Sequence, residues 1–374
     1  MSGALQAVYQ SLRSFAPPIF TTFTGGASYN VYDPPGAGIS ARTVSCAMSP
    51  TRVLFVGSSS TSSKTQPTCF AVVLDISGTA ITVNSVATLT SIGDDPIFGL
   101  TPFDSTYAVL STGDDGLRLI KITGSTPAVV GAALFGTASQ SVGSVHGLIN
   151  STQMLVAVAD YNGGAIKAAV VTRSGDTISS GTLDSLSTGG YTASQGQSFT
   201  GACGSSTTGV VSFQRRLYPV AISGTTATIS GNYVDASTAS TGSTAGLSFI
   251  SSNLYLVSAN RTSPSDNISV QTMSQSSGTS LTLNAATNFS FTAGTVPAVS
   301  WSRMYYGSTS AAVMQATSGF QMTISITGTT ISSTRTNQIT ALYTYPASAP
   351  LTGSTVLIPG FSALNFVANV ATAS

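Results

Sequence analysis

The sequence has no glutamate, three lysines (Lys64, Lys121, Lys167), one histidine (His146) and one tryptophan (Trp301) in 374 residues. Charged residues make up 7% of it, against roughly a quarter in ordinary globular domains. Glutamate and lysine suit exposed helix faces, so their scarcity argues against a helical surface. The net charge is +1 and the one adjacent basic pair is Arg215–Arg216. Binding to phosphates needs clustered cations, so nucleic acid is excluded as a partner. A single histidine cannot build a multi-histidine zinc site, and a catalytic His146 would need a partner that no GxSxG elbow supplies.

Three cysteines, Cys46, Cys69 and Cys203, form an odd set whose spacing matches no zinc motif. They read as small buried hydrophobes. Cys46 and Cys69 fall where neighbouring strands would carry them, which leaves one disulfide open. No stretch offers the roughly 18 apolar residues of a membrane helix. The nearest, 355–370, is interrupted by Pro359, Gly360, Asn365 and Asn369. The opening lacks the basic, apolar and small-residue pattern of a secretory signal. Neither a metal nor an organic cofactor is expected.

What replaces charge is hydroxyl: Ser and Thr supply about three residues in ten, and there are 37 glycines. Thr, Val and Ile suit a half-buried pleated surface, so the class is all-β. Only the opening segment reads as a helix. There Leu5, Val8, Tyr9, Leu12 and Phe15 share one face before Pro17–Pro18 stops it. A helix this short is unstable alone in water and must dock on something.

From about residue 40 the period becomes two and a unit recurs: a strand, a Ser/Thr-Gly turn and a second strand. It reads AVVLDISGTAITV at 71–83, LRLIKITGSTPAVV at 117–130, LYPVAISGTTATIS at 217–230 and QMTISITGTTISS at 321–333. The turn glycines are Gly78, Gly124, Gly175, Gly224, Gly278 and Gly328, separated by 46, 51, 49, 54 and 50 residues. Each unit follows a short apolar strand, such as 53–56 or 154–158. A repeat near fifty residues with three or four short strands is the mark of a propeller blade. The prediction is a six-bladed β-propeller. In the alternative, the leftover segments 19–39 and 341–374 pair as a seventh blade. The expected division is an N-terminal anchor over 1–39, the propeller over 40–340, and a C-terminal β extension or blade-closing segment over 341–374.

Candidate sites are sparse. Asp114–Asp115 and Asp94–Asp95 read as polar turns before they read as calcium ligands. Glycoside hydrolysis would need two paired aspartates, and no local motif marks a pair. The strongest aromatic cluster is SWSRMYYG, where Trp301, Tyr305 and Tyr306 offer faces for a sugar ring and Arg303 a polar contact. Packing between blades is the simpler use of the same strand. Four Asn-x-Ser/Thr sequons, at Asn150, Asn260, Asn267 and Asn288, are expected by chance in so hydroxylated a chain.

The opening MSGALQAVYQSLRSFAPP, followed by Gly-rich β repeats with SGTT-type hairpins, resembles structural proteins of tailed bacteriophages. The resemblance implies a non-enzymatic virion protein of fibre, tail or head-decoration type, extracellular after lysis and assembled in the host cytoplasm. It implies multiple copies per particle. Leu5, Val8, Tyr9, Leu12 and Phe15 would attach to other virion proteins, and the propeller would meet host-surface glycan. The alternatives are a polysaccharide-degrading spike enzyme and a secreted bacterial adhesin.

Overall fold

The computed structural model describes the backbone of residues 23–25, 29–32, 40–60, 68–92, 97–112, 116–136, 140–160, 164–187, 200–213, 216–236, 246–251, 253–260, 267–290, 303–305, 311–315, 320–338, 349–350, 355–362 and 365–373. All of the regular structure among them is strand. The predicted N-terminal helix, with Leu5, Val8, Tyr9, Leu12 and Phe15, lies outside the described residues. No helix among the described residues is long and apolar enough to cross a membrane.

Strands β1 (Phe23–Gly25) and β2 (Tyr29–Tyr32) come first. The first blade is β3 (Ser40–Ser49), β4 (Arg52–Ser60), β5 (Thr68–Ser77) and β6 (Ala80–Thr88). The second is β7 (Ile97–Pro102), β8 (Tyr107–Thr112), β9 (Leu117–Thr123) and β10 (Thr126–Leu134). The third is β11 (Gln140–Asn150), β12 (Gln153–Asp160), β13 (Ala165–Ser174), β14 (Thr177–Ser180) and β15 (Asp184–Ser187). The fourth is β16 (Thr200–Cys203), β17 (Thr208–Phe213), β18 (Arg216–Ser223), β19 (Thr226–Ile229) and β20 (Val234–Asp235). The fifth is β21 (Gly246–Ser251), β22 (Leu254–Asn260), β23 (Asn267–Ser277), β24 (Ser280–Leu283) and β25 (Thr287–Ser290). The sixth is β26 (Arg303–Tyr305), β27 (Ala311–Gln315), β28 (Phe320–Thr327) and β29 (Thr330–Gln338). Strands β30 (Ala349–Pro350), β31 (Thr355–Ser362) and β32 (Asn365–Ala373) end the chain.

Each blade is an antiparallel meander, and the innermost strands run beside one another around a common axis: β30, β3, β7, β11, β16, β21 and β26. The count is therefore seven blades, not six. The six repeats each form one, and the seventh is made from the two ends, with β1 and β2 pairing antiparallel to β32. The pairing Phe23↔Ala373 sets the two ends side by side, where the other blades have a tight turn. Strands inside the 1–39 segment thus belong to the ring, and 341–374 supplies the rest of the same blade.

Why these residues form blades follows from burial. Middle strands pack on a neighbour at both faces, so they read as unbroken apolar runs: Val53, Leu54, Phe55 and Val56 are all 0% exposed. Outer strands alternate, as in β6 and β10, because one face meets solvent. Consecutive residues then serve different interfaces. Ala108, Leu110 and Ile120 face the first blade, whereas Val109, Leu117 and Leu119 face Met154, Val156 and Val171 of the third. Among the described residues the core is a series of layers, between the first and second, second and third, third and fourth, and fourth and fifth blades. Each fully buried large aliphatic side chain in those layers stabilises by roughly 1.5–3 kcal/mol.

Five of the six turn glycines adopt positive φ, from +57° at Gly175 to +65° at Gly124. With glycine first of two turn residues these are type II′ hairpins, whose twist matches the flanking strands. Gly278 is different. A Cβ there would lie 2.6 Å from Ala221 Cβ of the fourth blade, so close approach, not φ, requires glycine.

The open disulfide question resolves against a bridge. Cys46 is on β3 and Cys69 on β5, with β4 between them, and both are buried free thiols. Two strand spacings separate them sideways by about 9–10 Å, and the register places Cys46 level with Val73, four residues from Cys69, so they are beyond disulfide reach. Cys46 Sγ instead lies 3.6 Å from Met48 Sδ.

Candidate functional site

In a four-stranded meander, the first-to-second and third-to-fourth turns share one rim, and the remaining connections share the other. The first rim carries the two-residue glycine turns. The second carries the longest connections, such as 188–199, together with short ones such as 214–215.

The turn rim is clasped. The turns of the second to sixth blades are each met by the preceding blade. Arg52 Nη1 donates to Gly124 O at 3.1 Å, joining the first blade to the second. Tyr107 Oη and Lys121 Nζ donate to Asp176 at 2.6 and 2.9 Å, joining second to third. Gly181 of the third blade leaves room for Thr225 O of the fourth. Asn232 Nδ2 reaches Thr279 O at 3.4 Å, and Thr272 Oγ1 donates to Thr329 O. The recurring Ser/Thr-Gly turn is thus a docking element between blades.

The charged groups of this rim are absorbed in the same work. Arg52 binds Asp75 in a fork at 2.7 and 3.1 Å, and Asn84 adds a bond at 2.8 Å. The guanidinium holds the Asp75 carboxyl below its usual range. Arg173 Nη2 meets Asp104 at 2.7 Å while its guanidinium stacks 4.2 Å from the Tyr107 ring centre. The Tyr107 hydroxyl, and then Lys121, hold the Asp176 carboxyl low, and Asp176 holds Lys121 high. Asp184 accepts from Ile229 N at 2.6 Å. An open cleft of about 700 Å³ between the first two blades is lined by Ser49, Thr51, Arg52, Asp75, Ser105 and Thr106. It offers hydroxyls around an ion pair whose own bonds are made within the protein.

Buried polar contacts extend the pattern. Tyr255 Oη donates to Gln275 Oε1 at 2.7 Å, and Gln275 Nε2 donates to Gly209 O of the fourth blade at 2.9 Å.

On the other rim, at the outer edge of the fourth blade, Tyr233 is 40% exposed. The Arg216 guanidinium lies 4.2 Å from its ring centre, and the Tyr218 ring lies 5.4 Å away at 50°. Arg216 and Asp235 are direct cross-strand partners, with Nε to Oδ1 at 3.9 Å. Burial pushes the Tyr218 phenol up against the opposing pull of Arg216.

The sites expected from sequence stand apart from this cluster. Trp301 and Tyr306 lie outside the described residues, as do Asp94, Asp95, Asp114 and Asp115. Arg303 and Tyr305 sit on β26, paired with Gln315 and Val313. His146 sits on β11 opposite Val156. Among the described residues no group of three or more His, Cys or Asp is placed to hold a metal ion. Tyr233, Arg216 and Asp235 were missed: only register brings them together, and the sequence offered one faint signal, the Arg215–Arg216 pair.

No family model matches the chain, and no curated protein matches it. Solved structures do. The WD40 β-propeller domain of Doa1 aligns with a TM-score of 0.54 at 10% identity, over 94% of this chain and 97% of that one. The chain has the β-propeller fold. A structure of U3-55K aligns with a TM-score of 0.57 at 8% identity, over 92% and 98% of the two chains. An oligogalacturonate lyase in complex with manganese aligns at 0.53 and 12% identity, over 94% and 96%. At such identities the likeness concerns the fold alone.

Proposed function

We propose that this chain is a non-enzymatic propeller of a virus particle, held by its N-terminal segment and presenting its long-connection rim to host-surface glycan. The observation that carries the non-catalytic part is the state of the carboxylates. Asp75, Asp104, Asp176, Asp184 and Asp235, those with described side chains, each contact a cation or a backbone N–H. Asp75 and Asp176 are held below their usual range. A general acid for glycoside cleavage needs the reverse, a carboxyl raised toward neutrality.

A weakly charged surface rich in hydroxyls suits neutral glycans, and several copies on one particle would turn weak contacts into firm attachment. The virion assignment rests on the resemblance of the opening segment and repeats. It is compatible with the ring, whose first described strand, β1, begins at Phe23. The test is incubation of purified protein with host envelope polysaccharide. Saturable binding with no new reducing ends or unsaturated products is expected. Steady release of either product would replace this reading with that of a depolymerase. A chain lacking residues 1–18 is expected to fold and to be lost from particles; if it still assembles, the anchoring part is wrong.

A further inference from the structure

We infer that the turn rim is the face that docks on the particle, against a virion protein with a neutral polar surface, while the opposite rim points outward. The inference rests on the tethering reading and names the surface through which the tethered ring meets its partner. Strand direction supplies the polarity. In a blade the fourth strand runs from the turn rim to the opposite one, as β6 does from Ala80, beside Gly78, to Thr88. In the closing blade β1 and β2 take that place, in the register Phe23↔Ala373, Gly25↔Ala371, Tyr29↔Ala368 and Tyr32↔Phe366. Strand β31 leaves the turn rim after the connection 351–354, and β32 returns to it, with Ser362↔Asn365 at the far end and Thr355↔Thr372 at the near one. Phe23 and Ala373 therefore both lie at the turn rim, and residues 1–22 leave the ring on that side.

Reach limits where the partner can be. Phe15, the last residue of the expected attachment face, precedes Phe23 by eight residues and lies at most about 29 Å from it. The nine residues of β32 already span about 30 Å from one rim to the other. An attachment face on so short a lead meets a partner under the turn rim and does not extend past the opposite one. The chemistry of the rim agrees. Thr79 and Thr329, exposed at the turns of the first and sixth blades, flank the closing blade. Charged groups of this rim pair among themselves, as in Arg52–Asp75 and Lys121–Asp176, so hydroxyls are what it offers a partner. The turns of the second to sixth blades are already held by their neighbours, which lowers the ordering cost of docking. The opposite rim carries the longest connections, the kind of segment on which recognition is usually built.

The test compares the free full chain with purified particles that carry it. Thr79→Cys and Thr329→Cys place a thiol on the turn rim; Thr88→Cys and Asn288→Cys place one at exposed positions toward the opposite rim. Each variant is treated with a bulky maleimide, and the labelled position is read by peptide mass mapping. A thermal midpoint equal to that of the wild type shows that each free variant is folded. On particles, Thr79→Cys and Thr329→Cys should label about tenfold more slowly than in the free chain, and Thr88→Cys and Asn288→Cys at the free rate. Free-rate labelling of Thr79→Cys and Thr329→Cys, or protection of Thr88→Cys and Asn288→Cys, would overturn the turn-rim docking and leave the tethering reading standing. A wash in about 1 M salt should leave the protein on the particles, because screening weakens charged contacts and not neutral ones. Release by that wash would overturn the neutral face. A chain that never joins particles would overturn the tethering reading and this inference with it.

Discussion

Replacing Gln275 by Met removes a hydrogen-bonding hub from between the fourth and fifth blades while keeping its length. Gln275 is 3% exposed and Tyr255 0%. The amide accepts from Tyr255 Oη at 2.7 Å and donates to Gly209 O at 2.9 Å. Met keeps the volume and forfeits two buried hydrogen bonds, each costing about 1–3 kcal/mol to lose. Because the fold can relax around one of them, about 2–4 kcal/mol in total is expected. Tyr255→Phe strands only the amide oxygen and should cost about 1–2 kcal/mol. The pair is coupled, so the double variant should be less destabilised than the sum, by about 1 kcal/mol. The assay is urea unfolding followed by circular dichroism, with the midpoint and unfolding rate read for all four proteins. Strict additivity would mean that the Tyr255–Gln275 bond contributes nothing.

Other expectations follow from the same contacts. Gly78→Ala meets open space but must hold φ near +60°, a strain of about 1–2 kcal/mol, whereas Gly131→Ala would also drive Cβ to 2.5 Å from Asp176 O. Thermal melting should rank Gly131→Ala as clearly worse than Gly78→Ala; the reverse order would contradict the turn docking. For Asp75 the folded pKa is depressed by Arg52. Its stabilisation is therefore present above the unfolded value of about 3.9 and lost as pH falls through the folded one. The pair is a third or more exposed, at 33% and 39%, so the difference between wild type and Asp75→Asn should be at most about 1 kcal/mol at pH 7 and vanish on acidification. A difference that grows toward acid would refute the assignment. Cys46, buried and with its thiol pushed up by desolvation, should resist alkylation in the native protein and react on unfolding, as mapped by mass spectrometry.

Much of the propeller was readable from residues because a blade's second, third and fourth strands carry strong local signals. Val53–Val56 is an unbroken apolar run, and the II′ glycines recur at a steady interval. The innermost strands were not readable. β7 (IFGLTP), β16 (TGAC) and β26 (RMY) are short, and they are fixed by the axis they line instead of by a turn beside them. The seventh blade stayed an alternative because its outer strands and its inner ones come from opposite ends of the chain. No local hairpin announces such a pairing. Gly278 looked like its five counterparts, yet its constraint comes from Ala221 of another blade. Likewise, Tyr233 gains its meaning from Arg216 and Asp235 only once the fourth blade is in register.

Closure of the ring by its two ends supports every other conclusion, and one cross-link tests it. Thr24 and Thr372 are direct antiparallel partners, close enough for a disulfide between cysteines placed there. Under mild oxidation, Thr24→Cys with Thr372→Cys should give an intrachain bond, seen as faster migration without reductant and a higher thermal midpoint. Failure to form that bond, with both new thiols still open to alkylation in the folded protein, would show that the ends do not share a blade.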